Sequence, residues 1–279
     1  MVTFGALNAG QFSAVRLHSG AVVSSGFGPL DRLLPAGGVR RGGLLEWLCD
    51  GEASGAAAVA FAVACRLAGG LNGAGPTAAS TIIVVDRQGR FHPPAVLGWL
   101  GNASPGVVQK PQLVVARASS AADEAWAIDQ ALRCRGVAAV LACPQSIQPT
   151  AMRRWQLAAR SSQTVGLFVR PQTACGQQPS RQQPTWAEAR IAVSPLPGES
   201  LAVRRLRLAL VGGPWAGDQG VEDRAVEIGI DLARGCETAP HRSGASVRIR
   251  ESCGHEAAGM RIFRQQAVTS SEAVACRAS

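Results

Sequence analysis

Apolar residues in the first 170 positions gather into short runs rich in Leu and β-branched residues at 44–48, 81–85, 112–115, 137–142 and 164–169. Runs of that length without polar alternation suit strands that are buried on both faces. Between them the period changes. Residues 55–69 are alanine-rich, and Ala121, Ala125, Ile128 and Leu132 fall on one face at helical spacing. Ser120, followed three residues later by Asp123, predicts a capped helix start at that point. A third helix is predicted over 150–161, with Met152, Trp155 and Ala159 on one face and Arg153 and Arg160 on another. Strands alternating with helices predict an α/β fold, a mostly parallel sheet with helices on its two faces.

The pattern changes after Arg170. The stretch 172–185 is rich in Gln and Pro and has no apolar period, which predicts an exposed loop. Shorter strands are predicted at 188–193, 201–211 and 225–232, with turns at 195–198 and 212–218, as an antiparallel extension of the sheet. The alternation in RRLRLAL sets Arg205 and Arg207 on a wet face and Leu206 and Leu208 on a dry one. The organisation expected is an N-terminal segment 1–23, an α/β core 24–171, the loop 172–185, the antiparallel extension 186–234 and a largely disordered tail 235–279.

Composition narrows the class of partner. The formal net charge is +9, carried almost wholly by arginine since Lys110 is the one lysine, and it favours contact with polyanions. The 8 cysteines contain no C-x-x-C pair and no zinc spacing, so reduced thiols in a cytoplasmic protein are expected. The N-terminus lacks the basic-then-apolar order of a signal peptide, and the most apolar run, 56–71, is interrupted by Arg66 and too short to span a bilayer. No membrane partner is expected.

One segment has the layout of a phosphate-binding loop. LLEWLCDGEASGAAAVAFAVA reads as strand, glycine-containing turn and helix, the context in which backbone N–H groups cradle phosphates. A working loop has the form G-x-x-x-x-G-K followed by Ser or Thr, with the lysine on the terminal phosphates and the hydroxyl on magnesium. Here Asp50, Gly55, Ala56 and Ala57 stand at the first glycine, second glycine, lysine and hydroxyl positions, with Gly51 and Ser54 between. Losing one charge-assisted contact costs about 1.5 to 3 kcal/mol, and Asp50 adds negative charge where phosphates belong. The plainer reading is a strand-turn-helix junction packed by small residues.

The residues from 24 to 64, SSGFGPLDRLLPAGGVRRGGLLEWLCDGEASGAAAVAFAVA, resemble the entry to the RecA core. The likeness continues through TIIVVDRQGRFHPPAVLGWLG and GVAAVLACPQSIQPTAMRRWQLAARSSQTVGLFVRP. Within RecA-like proteins these pieces are most similar to the ImuA family, accessory proteins of bacterial SOS mutagenesis, over residues 24 to about 232. The best markers are D-x-x-G-x-x-x-x-P from Asp86 and M-R-R-x-Q-L-A-A from Met152. The resemblance implies a carboxylate near the end of the second core strand; two residues after Asp86 this chain has Gln88, whose amide cannot accept a proton at neutral pH. It also implies an acid for magnesium after 137–142, where Cys143 and Pro144 stand. Asp86 reads more simply as a strand-end residue capping the next turn.

Three vacant stations in order imply a scaffold without hydrolysis and without a cofactor. The resemblance further implies partners: single-stranded DNA, an inactive polymerase-like protein and an error-prone polymerase, RecA and a second copy of the chain, in the nucleoid-associated cytoplasm. DNA contacts are expected at Arg153, Arg154, Arg170 and Arg181, the last two at the start of and within a segment that RecA-like proteins present to single strands. A solvated linker and a solvated charged face remain the plain readings of these positions, and the loop has no aromatic before Trp186 to stack bases. Two other functions stay open: a divergent DNA-dependent ATPase or recombinase, and a division inhibitor similar to SulA.

Overall fold

The computed structural model describes residues 20–49, 51–69, 80–101, 111–172, 185–198, 200–212 and 225–238. A two-strand ribbon, β1 (Val22–Val23) with β2 (Val39–Arg40), brackets helix α1 (Gly28–Leu33). Then follow β3 (Leu44–Cys49), α2 (Ala56–Ala68), β4 (Thr81–Val85), α3 (Leu97–Gly101), β5 (Gln112–Ala116), α4 (Ala121–Arg133), β6 (Val137–Ala142), α5 (Pro149–Ser162) and β7 (Val165–Pro171). The last strands are β8 (Ala189–Pro195), β9 (Val203–Gly212), β10 (Ala225–Asp231) and β11 (Cys236–Glu237).

Nine strands form one sheet in the order β11-β10-β9-β8-β3-β7-β6-β4-β5. The pairs from β8 through β5 are parallel, and those from β8 to β11 antiparallel. The protein is thus α/β, with a mostly parallel central sheet flanked by helices and an antiparallel C-terminal part. Every residue of β3 and β6 is buried, as strands covered on both faces require, Glu46 of β3 included.

One correction concerns β8. Placed in the antiparallel extension by sequence, it runs parallel to β3, with Trp47 opposite Ile191. The connection over residues 172–188 is long enough to cross β3 and return in the same direction, so the antiparallel part starts only at β9. A second correction is at the end of the sheet. Cys236 and Glu237, assigned to the tail, pair with Asp231 and Ile230, and the Glu237 carboxylate accepts the Gly28 N–H at 2.8 Å. From residue 239 the expected tail lies outside the described residues, as does most of the polar loop.

Local signals explain the helix ends. The Ser120 hydroxyl accepts the Asp123 N–H at 3.1 Å, while Asp123 and Glu124 occupy the positive end of α4 and Arg133 its last turn. Helix α5 starts on Pro149 and stops at Gln163, which is left-handed (φ 67°) and donates its N–H to the Ala159 carbonyl at 2.8 Å.

Helices α4 and α5 cover one face of the sheet, with Trp155 against Phe168 at 5.2 Å between centroids. On the other face α2 is buried nearly all round, which its Ala-rich sequence allows. Its neighbours there include α1 and the leucines and isoleucines of β9 and β10. Phe61 of α2 meets Phe91 and Trp99 at 5.4 and 5.9 Å, and the Trp99 indole donates to the Leu232 carbonyl just past β10. The antiparallel strands therefore reach around α2 to α3.

Candidate functional site at the carboxyl ends of the parallel strands

In open α/β sheets, ligands gather beyond the carboxyl ends of the parallel strands. Here β3 leads into a tight turn. Gly51 (φ 89°) and Gly55 (φ 86°) flank a 3-10 turn over Glu52–Ser54, and α2 begins at Ala56. Asp50 lies outside the described residues. The Ser54 hydroxyl accepts the Ala56 N–H at 3.3 Å, and Gly55 takes the first helical bond from Val59 at 3.1 Å.

At the lysine position Ala56 is 0% exposed and part of the core, while Ala57 at the hydroxyl position faces out. Strand β9 lies directly against the turn. A side chain on Gly55 would come within 2.7 Å of Leu206 and 3.0 Å of the Arg204 guanidinium, which donates to the Ala53 carbonyl. The cation that reaches this loop is therefore Arg204. The sequence reading assigned Arg204 no role, although the β9 alternation puts it on the side of Leu206 and Leu208.

At the end of β4, Asp86 holds the following turn. Its carboxylate accepts the N–H groups of Arg90 at 3.1 Å and Phe91 at 2.8 Å, and pairs with the Arg117 guanidinium at 2.6 Å. Gly89 (φ 70°) makes the turn possible. Arg87 pairs with Glu124 at 3.1 Å, and Gln88 beside it is half-buried. These contacts make Asp86 a cap of the turn. Past β6, at the position where the resemblance implies an acid for magnesium, Cys143 is exposed.

Among the described residues no three His, Cys, Asp or Glu side chains are grouped so as to hold a metal ion. Cavities of about 100 Å³ beside Leu34, Arg40 and Glu188, and about 170 Å³ beside Arg66, Trp99 and Cys236, have no lining residue from the turn.

The expected DNA-contacting arginines separate. Arg170 is a correction: its side chain is 3% exposed and lies against Glu46 at 2.7 Å, so it offers no guanidinium to a phosphate. Glu46, itself 1% exposed, bridges neighbouring strands by also pairing with Arg190 at 2.7 Å, and it accepts the Thr185 hydroxyl at 2.7 Å. Arg153 stacks over the Trp186 ring at 4.3 Å, and Arg154 pairs with Asp129 at 3.2 Å. Both remain on α5, but Arg181 lies outside the described residues. Arg205 and Arg207 are exposed on β9, with Arg205 paired to Glu227 at 2.9 Å. No helix is long and apolar enough to cross a membrane among the described residues.

No protein-family model matches the chain, and a search of curated proteins returned no match.

Proposed function

We propose that the chain is a RecA-like scaffold without nucleotide turnover, which supports error-prone DNA synthesis after damage by binding single-stranded DNA and polymerase partners in the bacterial cytoplasm. The observation that carries the non-catalytic part is the buried Ala56 at the lysine position of a turn already occupied by Arg204. Asp86 adds to it, since its carboxylate is committed to the 90–91 turn and Arg117. The RecA-like part rests on the resemblance from residue 24 to about 232. It is also supported by the position of β3 and its turn in the middle of a parallel sheet, with α2 following. The genetic role rests on the resemblance to the ImuA family alone. Arg153 and Arg154 are the described arginines kept for nucleic acid, each already held by a neighbour.

The test is the frequency of ultraviolet-induced mutation in the source bacterium with and without the gene, at matched survival. A sharp fall on deletion supports the reading, and an unchanged frequency removes it. In the purified protein, DNA-stimulated ATP hydrolysis lost on Gly55→Asp, in a variant that still folds, would replace the scaffold by an ATPase.

A further inference from the structure

Helix α4 presents an outer stripe that no other described element covers: Ala122, Asp123, Trp126, Gln130 and Arg133 are all exposed. Trp126 is 64% exposed, and every other aromatic side chain among the described residues is buried or half-buried. Two more apolar side chains stand on the same side of the sheet. Leu157 on α5 is 51% exposed and Val114 on the edge strand β5 is 46% exposed. Large apolar side chains left exposed on one side of a sheet are candidates for an interaction surface.

The charges say what fits. On a molecule of net charge +9, this face is balanced, with Asp123 and Asp129 against Arg133 and Arg154. The hydroxyls of Ser119 and Ser120 hold the Asp123 carboxyl below the usual carboxylate range, so it is charged at neutral pH. Asp123, one turn before Trp126, sets a negative charge beside the indole, while Asp129 on the other side is buried and held by Arg133 and Arg154.

The stripe is also antisymmetric. Positions 123 and 133, like 126 and 130, are equidistant from position 128, with acid at one end and base at the other. An antiparallel copy of the same helix then sets Asp123 of each chain opposite Arg133 of the other, with each Trp126 opposite the other's Gln130. Self-complementarity about a two-fold axis is what an isologous dimer requires.

We infer that the outer face of α4, flanked by Leu157 and Val114, is the contact through which two copies of this chain form an antiparallel, two-fold dimer. The inference depends on α4 and its surroundings and not on the RecA-like reading or on any role in mutagenesis.

Light scattering and sedimentation of the full chain test it. The expected mass at tens of micromolar is twice 28.9 kDa. Trp126→Glu should raise the dimer Kd on the order of tenfold or more, as loss of a central aromatic anchor does. Leu201→Glu, at a fully exposed position away from α4, should leave it unchanged. Asp123→Arg and Arg133→Asp should each weaken the dimer, and the two together should restore it, a rescue that simple fraying of the helix would not give. Circular dichroism confirms that each variant folds. A monomeric wild type, a dimer indifferent to Trp126→Glu, or a double exchange no tighter than the single ones overturns the inference. So does a loss of single-stranded DNA binding by Trp126→Glu without change in mass, which would make the face a nucleic-acid site.

Discussion

Glu46 holds two guanidiniums inside the sheet, and that placement decides what Arg170 can do. Two arginines and one carboxylate are tolerated at 1 to 3% exposure because each contact is charge-assisted and short. Removing the carboxylate leaves two cations in the interior. Glu46→Ala is expected to cost about 3 to 5 kcal/mol in urea unfolding, against less than about 1 kcal/mol for breaking the exposed Arg205 pair with Glu227→Ala. The sequence could not reveal this, because Glu46 and Arg170 are 124 residues apart and an arginine at a strand end looks solvated when its partner strand is unknown. Arg204 is the opposite case, since its inward face was readable from alternation alone. Thiol chemistry separates by position too. Burial pushes Cys65 up to about 12, and it is 2% exposed, whereas Cys134 is exposed. Maleimide at neutral pH should label Cys134 in the native protein and reach Cys65 only in denaturant, as mass spectrometry of peptides would show. Native labelling of Cys65 would mean that α2 opens.

Among the elements, β4 and β6 have the bounds expected from sequence, while α2 and α5 differ from expectation by a residue at each end. Strands buried on both faces and a capped helix start carry strong local signals, so these could be read directly. Pieces two residues long, such as β1, β2 and β11, are too short to show a period. The direction of β8 was misread for another reason, because nothing in ARIAVSP distinguishes a parallel from an antiparallel neighbour. Direction is set by the connection. The turn before α2 is the element where sequence and geometry agree most closely on a glycine. Gly55→Ala forces a left-handed residue and a contact with Leu206, and is expected to destabilise by about 1 to 3 kcal/mol by thermal or urea melting. An unchanged midpoint would show that β9 moves away readily.

At the scale of the whole molecule, the packing of the connection after β7 against the first strands gives a pH signature. Burial raises the Glu188 carboxyl above its ordinary range, with Arg40 and Arg160 opposing. A raised carboxylate pKa means that the folded state holds its proton more tightly. Its contribution is therefore full below the ordinary carboxylate range and is lost as pH rises through the raised value. The wild type minus Glu188→Gln difference in unfolding free energy should fall over that interval and then level off; a flat difference would show no shift. What sequence could not convey is that residues beyond 200 close over a helix near residue 60, since loss of solvent from α2 depends on strands that are remote along the chain. That enclosure has a consequence during synthesis on the ribosome. β3 meets its neighbours only when β7 and β8 have emerged, and α2 is capped only after β10. At about 5 to 20 residues per second, the roughly 170 residues from α2 to the end of β10 take about 8 to 35 s to appear. Through that interval an apolar, alanine-rich helix has no finished shelter, so nascent chains stalled before β9 should be held by chaperones and cut by proteases, while those released after β11 should not.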